Sequence, residues 1–405
     1  MNATSSTARN TPRRVMAYCH DSVGIGHLRR TMAICDRIGA EFQDTSFLLA
    51  TGTPYVPLFR DTACVDYVKL PALRKDDRGD YGSKFLKIAS DRILRCRASM
   101  LLEAARHFEP DVLLVDKAPL GVCRELVSAL KWTRAHRPNT KIVFGMRDIE
   151  DAPNATIRQW TRDGVADVLE SCFDEVWIYG MKDVFDAVRE YRLPTRVAEK
   201  CRYMGYIARP ARAELFDRPT SNRIVVTVGG GTDGEMVLQM YLAEAASAVS
   251  RQGVACTIVG GPDLPEGART RLRSMAQAID GVTWTDFEPD MASVIAESRL
   301  VVCMGGYNTL NEVASLRRRA LVIPRIKPRL EQAIRAERWE ARGVVRMLHP
   351  DDASPSALTR RILESLEDGE SRSVPLLDLN GLDRVAGRFR QFWNKEQRHA
   401  SALCL

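Results

Sequence analysis

The chain has 405 residues, 45% hydrophobic and 27% charged. That composition excludes a disordered or collagen-like protein, and the length exceeds one ordinary domain, so two domains are expected. Lys and Arg number 59 against 52 Asp and Glu, a formal +7; so mild and dispersed an excess argues against a nucleic-acid partner. Residues 69–106 alone hold ten basic and five acidic side chains, which suits an anionic ligand or an anionic lipid surface.

Ten cysteines stand singly, from Cys19 to Cys404, with no C-x-x-C pair. Several lie inside apolar runs, as small buried hydrophobes do. With no leader-like apolar stretch, a reducing cytoplasmic location is expected, and peripheral contact with the inner face of the cell membrane is the added expectation.

Residues 1–13 are polar and read as a flexible tail. Short apolar runs then recur at 15–20, 45–50, 111–116, 141–146 and 175–179, and again at 224–231, 254–261, 282–287, 300–306 and 320–324. Runs of this kind, alternating with amphipathic stretches, predict parallel strands covered by helices on both faces. The pattern restarts after a polar, proline-containing segment at 207–222. The predicted organisation is therefore a first domain at 14–206, a linker at 207–222, a second domain at 223–375 and a closing helix with tail at 376–405. The fold class is α/β, two Rossmann-like doubly wound domains facing each other across a cleft.

Ligands of such sheets bind beyond the carboxyl ends of the strands. After the first strand, Gly24 and Gly26 permit a tight turn, and His27 falls at a helix start whose dipole favours the neutral imidazole. The same residues also read as a plain turn and cap. Asp116 ends the run DVLLVD; it either orients His27 for proton abstraction or caps a following helix. Arg147 and Asp148 end another run, as a salt bridge or as a phosphate or acceptor contact. In the second half, Gly229, Gly230, Gly231 and Thr232 form an anion cradle, lacking both the Walker Lys and the G-x-G-x-x-G spacing. Gly305, Gly306, Tyr307, Asn308 and Thr309 open a helix in which Glu312 either completes a capping box or meets ribose hydroxyls. Arg325, Lys327, Arg329 and Gln332 follow in a proline-stiffened loop suited to a diphosphate.

The run IVVTVGGGTDG and the stretch CMGGYNTLNEVASLRRRALVIPRIKPRLEQ make the second half resemble glycosyltransferase family 28. Over about residues 14–350 the chain is similar to bacterial predicted glycosyltransferases related to the peptidoglycan N-acetylglucosaminyltransferase. The resemblance implies the GT-B fold, an acceptor-binding first domain and a second domain for a nucleotide-sugar donor, most often UDP-linked. It implies Phe287 near the base, Glu312 on the ribose, Gly305, Gly306, Asn308 and Thr309 on the diphosphate, and Gln332 on the sugar. Leu28-Arg29-Arg30 replaces the family's usual sequence after the histidine, so the acceptor does not carry over.

No Asp-x-Asp occurs in the chain. A metal-independent inverting displacement is therefore expected, with His27 as base, Asp116 orienting it and no cofactor beyond the donor. A UDP-sugar 2-epimerase of the same fold and a non-catalytic nucleotide-sugar binder are the rival expectations. Lys84, Lys87, Arg92, Arg95 and Arg97, interleaved with Phe85, Leu86, Ile88, Ile93, Leu94, Leu101 and Leu102, read as an amphipathic helix. Its apolar side either packs on the sheet or contributes to a peripheral membrane surface across 84–102.

Overall fold

A computed structural model describes residues 12–20, 26–59, 65–75, 81–209, 221–367 and 377–403. Gly24, the tail at 1–11 and most of the expected linker, 210–220, lie outside the described residues.

The first half builds on β1 (Arg13–Cys19), β2 (Thr45–Thr51), β3 (Val65–Lys69), β4 (Leu73–Lys75), β5 (Tyr81–Ser83), β6 (Val112–Asp116), β7 (Lys141–Arg147), β8 (Glu175–Tyr179) and β9 (Cys201–Tyr203). Seven of these form one sheet in the order β3-β2-β1-β6-β7-β8-β9. Every pairing in it is parallel. The antiparallel pair β4-β5 stands apart as a small hairpin.

The second half uses β10 (Arg223–Thr227), β11 (Ala255–Val259), β12 (Val282–Thr285), β13 (Leu300–Cys303), β14 (Ala320–Val322) and β15 (Arg346–Met347). They form a parallel sheet in the order β12-β11-β10-β13-β14-β15. Strands such as β6 and β13 are buried at every position, which is why, Asp116 at the end of β6 apart, they are written in consecutive apolar residues rather than alternating ones. The short and mixed strands β3, β4, β5, β9 and β15 carry no such run and escape a reading based on apolar patches.

In each sheet the strand order reverses at one place, between β1 and β6 and between β10 and β13. Crossovers leave in opposite directions there and open a crevice at the carboxyl edge. His27 is the second residue of α1 (Gly26–Glu41), the first helix after β1, and Asp116 is the last residue of β6. The two glycine runs follow β10 and β13. Both crevices face the same gap.

The helix Gly381–Leu403 crosses back to the first half. Trp393 meets Phe42 edge-on with centroids 4.6 Å apart, and Phe392 stacks on Trp177. Arg388 of the same helix pairs with Glu175. Apolar burial by Val385, Phe389, Phe392 and Trp393 thus ties the C-terminal helix to the first sheet.

In α2 (Ser90–Phe108), Ile93 and Leu101 are buried against the body. Arg97 is a correction to the basic surface expected there. It is buried, donating to Glu125 from Nε at 2.6 Å and from Nη2 at 2.7 Å, while Tyr18 donates to the same carboxylate at 2.6 Å. Among the described residues no helix is long and apolar enough to cross a membrane.

Arg97→Ala leaves Glu125 charged and uncompensated in the interior. An equilibrium urea titration should show a loss of about 3–5 kcal/mol.

Candidate functional site

A cleft of about 630 Å³ separates the two carboxyl edges and draws residues from both halves. His20, His27, Arg29, Arg30, Arg74, Tyr81, Lys117 and Arg147 line it from the first half. From the second come Gly229 to Asp233, Phe287, Gly306 to Thr309, Arg325, Arg329 and Gln332.

His27 and Asp116 meet. Nδ1 lies 2.6 Å from Asp116 Oδ2, and the carboxylate is buried. The proposed helix cap is not its role: Asp116 spends its oxygens on His27 and Arg30. Burial first, then the cations Arg30, Lys117, Arg147 and Arg329, hold the His27 pKa well below the ordinary histidine value. The imidazole is therefore neutral and able to accept a proton.

Opposite it, Gly229 and Gly231 take φ of +65° and +96°. A side chain on Gly231 would meet the Gly260 carbonyl oxygen at 2.6 Å, so glycine is needed there on two counts. Gly230 and Thr232 complete the cradle beside them. The helix Tyr307–Ser315 points its start into the cleft, with Gly306 as its N-cap residue, so its free amides and dipole favour an anion. Asn308 reaches across and donates to the Gly26 carbonyl oxygen at 2.8 Å.

Several expected residues face elsewhere. Glu312 does not line the cleft. It makes a 2.6 Å ion pair with the partly buried Arg29 of α1, Glu312 itself being buried, and it forms no capping box, since no side chain caps that helix. Burial raises its pKa, with Arg29 opposing.

Asp148 is likewise absent from the cleft. Both of its oxygens are held at 2.7 Å by Arg335 of the helix Glu331–Glu340, so its ion pair is with a residue of the second half, whereas the neighbouring Arg147 is placed beside Glu150 and Glu331. Gly305 gives its carbonyl oxygen to the same Arg335 at 3.1 Å. Arg147 does face the cleft, 3.7 Å from Glu150 and 3.9 Å from Glu331. Arg325 is not a free cation: Asp233 lies at 3.0 Å and Glu331 pairs with it closely. Gln332 accepts from the Arg325 backbone amide at 3.1 Å. Tyr307 lines the cleft, but its hydroxyl links the halves, accepting from Ile207 N and donating to Tyr179 O, both at 2.9 Å.

Sequence reasoning missed Lys117 and Arg74, and it gave Arg30 no role. Lys117 has a left-handed backbone at φ +64°, the kind of constraint that concentrates at functional sites. Burial, reinforced by Arg147, brings its ammonium down to about 7. Its position directly after Asp116 was the signal. Arg30, one turn beyond His27, was equally legible by helical spacing. Among the described residues Arg74, Lys117 and Arg329 make no ion pair within 4 Å, Glu150 and Glu331 acting on Lys117 only from farther off, so the cleft holds an excess of positive charge. The described residues contain no group of three or more His, Cys, Asp or Glu placed to hold a metal ion.

Residues 224–374 match the model of the glycosyltransferase family 28 C-terminal domain. That match covers most of the second half of the chain. A UDP-N-acetylglucosamine--N-acetylmuramyl-(pentapeptide) pyrophosphoryl-undecaprenol N-acetylglucosamine transferase from Haemophilus influenzae is 23% identical over 205 residues, covering 46% of this chain and 56% of that protein. The chain thus spans little more than half the length of that relative. Among solved structures, Acinetobacter baumannii MurG aligns over 94% of this chain and 100% of its own with TM-score 0.56 and 14% identity. A putative UDP-N-acetylglucosamine 2-epimerase from Listeria monocytogenes aligns over 95% and 97% with TM-score 0.64 and 12% identity. These structural likenesses show the fold, two Rossmann-like domains in the GT-B arrangement.

Lys117 loses its proton as pH rises through about 7, whereas His27 and His20 are already neutral below that range. Calorimetric titration with sulfate should therefore show affinity falling between about pH 6 and about pH 8.5. Lys117→Met should bind more weakly at the lower pH and nearly lose the dependence; an unchanged dependence would contradict the assignment.

Proposed function

We propose that the protein is a glycosyltransferase that moves a sugar from a nucleotide sugar, UDP-linked, to an acceptor hydroxyl by metal-independent inverting displacement. The observation that carries this reading is the placement of the His27–Asp116 pair on one wall of a cleft whose other wall is the glycine cradle. A base and an anion cradle across one gap are what direct displacement at an anomeric carbon requires. His27 takes the acceptor proton, the acceptor oxygen bonds to the anomeric carbon, and the bond to the departing nucleoside diphosphate breaks on the opposite face.

Charge developing on that leaving group falls on Gly229–Thr232, on the Tyr307–Ser315 helix start and on Arg329, donors fixed in place before reaction. No metal or cofactor has a part in the scheme. Phe287 serves the base, Thr309 and Asn308 the diphosphate, and Gln332 the sugar. Glu312 reaches the ribose only by exchanging its bond to Arg29. Lys117, Arg74 and Arg147 give the acceptor wall positive charge, which suits an acceptor carrying phosphate or carboxylate near its hydroxyl.

The epimerase reading asks for free cleft carboxylates as acid and base. Two of those present, Asp233 and Glu331, are instead paired with Arg325.

Phe85, Leu86 and Ile88 are 67%, 53% and 42% exposed, next to Lys84 and Lys87. We assign this short segment, rather than the whole of 84–102, to peripheral contact with anionic lipid at the cytoplasmic face of the membrane, each added cation near the surface contributing roughly 1 kcal/mol. Flotation with phosphatidylglycerol vesicles should enrich the protein, and Phe85→Ser with Leu86→Ser should reduce that enrichment; equal recovery of both proteins would refute the contact.

His27→Ala should abolish acceptor-dependent nucleotide release from a panel of nucleoside-diphosphate sugars, with donor affinity kept. Undiminished turnover removes His27 as base, and acceptor-independent isomerisation at C2 replaces the transferase reading with the epimerase one.

A further inference from the structure

Arg30 stands one helical turn after His27 on α1, so the two side chains leave the same face. Its side chain is 2% exposed. Nε and Nη2 donate to Asp116 Oδ1 at 3.0 and 2.6 Å, while the other carboxylate oxygen lies 2.6 Å from His27 Nδ1. Nη2 also comes within 2.8 Å of Nδ1. An ionised carboxylate can only accept, so the short contact to Oδ2 places the imidazole proton on Nδ1. The Arg30 protons are then directed to Asp116, and Nε2 keeps its lone pair for a ligand.

The guanidinium is also held face-on. Its carbon lies 5.4 Å from the Tyr179 ring centroid and 5.3 Å from that of Tyr307. Tyr179 ends β8 in the first half; Tyr307 opens a helix of the second, and the two are joined by the Tyr307 hydroxyl on the Tyr179 carbonyl oxygen. Arg30 is thus seated between rings supplied by both halves.

A lone buried carboxylate beside an imidazole would stabilise the imidazolium. The groups facing His27 are Asp116 from β6, Arg30 from its own helix, Lys117 and Arg147 beyond β6 and at the end of β7, and Arg329 from the second half. The neutral His20 ring lies 6.0 Å away. Burial acts first against a charged ring, four cations add to it and one carboxylate opposes them; of the cations only Arg30 touches both members of the pair.

We propose that Arg30 is a positioning residue for the transfer reaction: bonded to Asp116 from behind, it lets that carboxylate fix the His27 tautomer without charging the ring. Its seat between Tyr179 and Tyr307 makes this arrangement depend on the two halves being docked. The consequence for transfer rests on the glycosyltransferase reading, but the state of His27 can be read without turnover.

The test is a titration of the full-length, ¹⁵N-histidine-labelled protein, with the His27 signals identified by their loss in His27→Gln. Wild-type His27 should show the Nδ1-protonated neutral form and stay neutral well below about 6.5. In Arg30→Met its midpoint should rise by a unit or more, and the acid limb of kcat/KM should move with it. Arg30→Lys keeps the charge without the two-pronged bond, so it should stay neutral with mixed tautomers and a lower kcat, and its acid limb should not move. Tyr307→Leu should raise the midpoint as Arg30→Met does.

A folded Arg30→Met protein with an unmoved midpoint overturns the proposal. If that variant does not fold, an Arg30→Lys protein with wild-type tautomer and kcat overturns it instead. An unmoved midpoint in Tyr307→Leu overturns the dependence on docking. The expected titrations without turnover on any donor sustain Arg30's effect on His27 and overturn the transferase reading alone.

Discussion

A guanidinium from the second half and a carboxylate from the first meet inside the molecule, Arg335 on Asp148, both buried. Burying two charges is costly, and in this low-dielectric seam their attraction is recovered only in one geometry. The pair therefore acts chiefly as a register mark, joining the end of β7 to the helix Glu331–Glu340. Arg335 also binds the Gly305 carbonyl oxygen, so the same side chain fixes the glycine turn after β13. Trp339, one turn on, donates to Tyr206 at 3.1 Å and extends the seam with apolar and aromatic packing. Placing His27 opposite the Gly229 cradle depends on this docking, because neither sheet carries both.

The second organising feature is an unequal distribution of charge. Carboxylates near the cleft are mostly committed: Asp116 to Arg30, Asp148 to Arg335, Glu312 to Arg29, and Asp233 and Glu331 to Arg325. The cations left over, Lys117, Arg329 and Arg74, face a partly enclosed space where water screens them less than on the surface. Burial first, then Arg30, Lys117, Arg147 and Arg329, depresses the basicity of His27, and burial with Arg147 and Arg329 depresses that of Lys117. The enclosure and the cations of the cleft together prepare a neutral base and an anion site.

Much of the architecture was legible in the residues. Parallel strands covered on both faces carry consecutive apolar residues at their centres, so β1, β6, β7, β8, β10 and β13 announce themselves. The strand-end rule then leads to His27, Asp116 and the glycine runs without any contact being known. Legibility fails where a strand is short or half exposed, as in β3, β9 and β15, because nothing in a few mixed residues separates strand from loop. It fails again for charged side chains, whose function depends on the partner. Glu312 and Asp148 look like ligand contacts in sequence and are ion-paired away from the cleft, while Arg97 looks solvated and is buried. Lys117 shows the reverse: an ordinary lysine in sequence, made weakly basic by its surroundings.

The sequence by itself determined the α/β class, the two sheets and which loops stand at their carboxyl edges, because these follow from local periodicity and from burial on both faces of a strand. Only the tertiary structure decided which charges are spent on one another and which remain for a ligand. Pairing such as Arg30 with Asp116 or Arg29 with Glu312 joins residues 86 and 283 positions apart. Coulomb energy depends on distance and dielectric, and neither exists until the two halves have folded and closed upon each other.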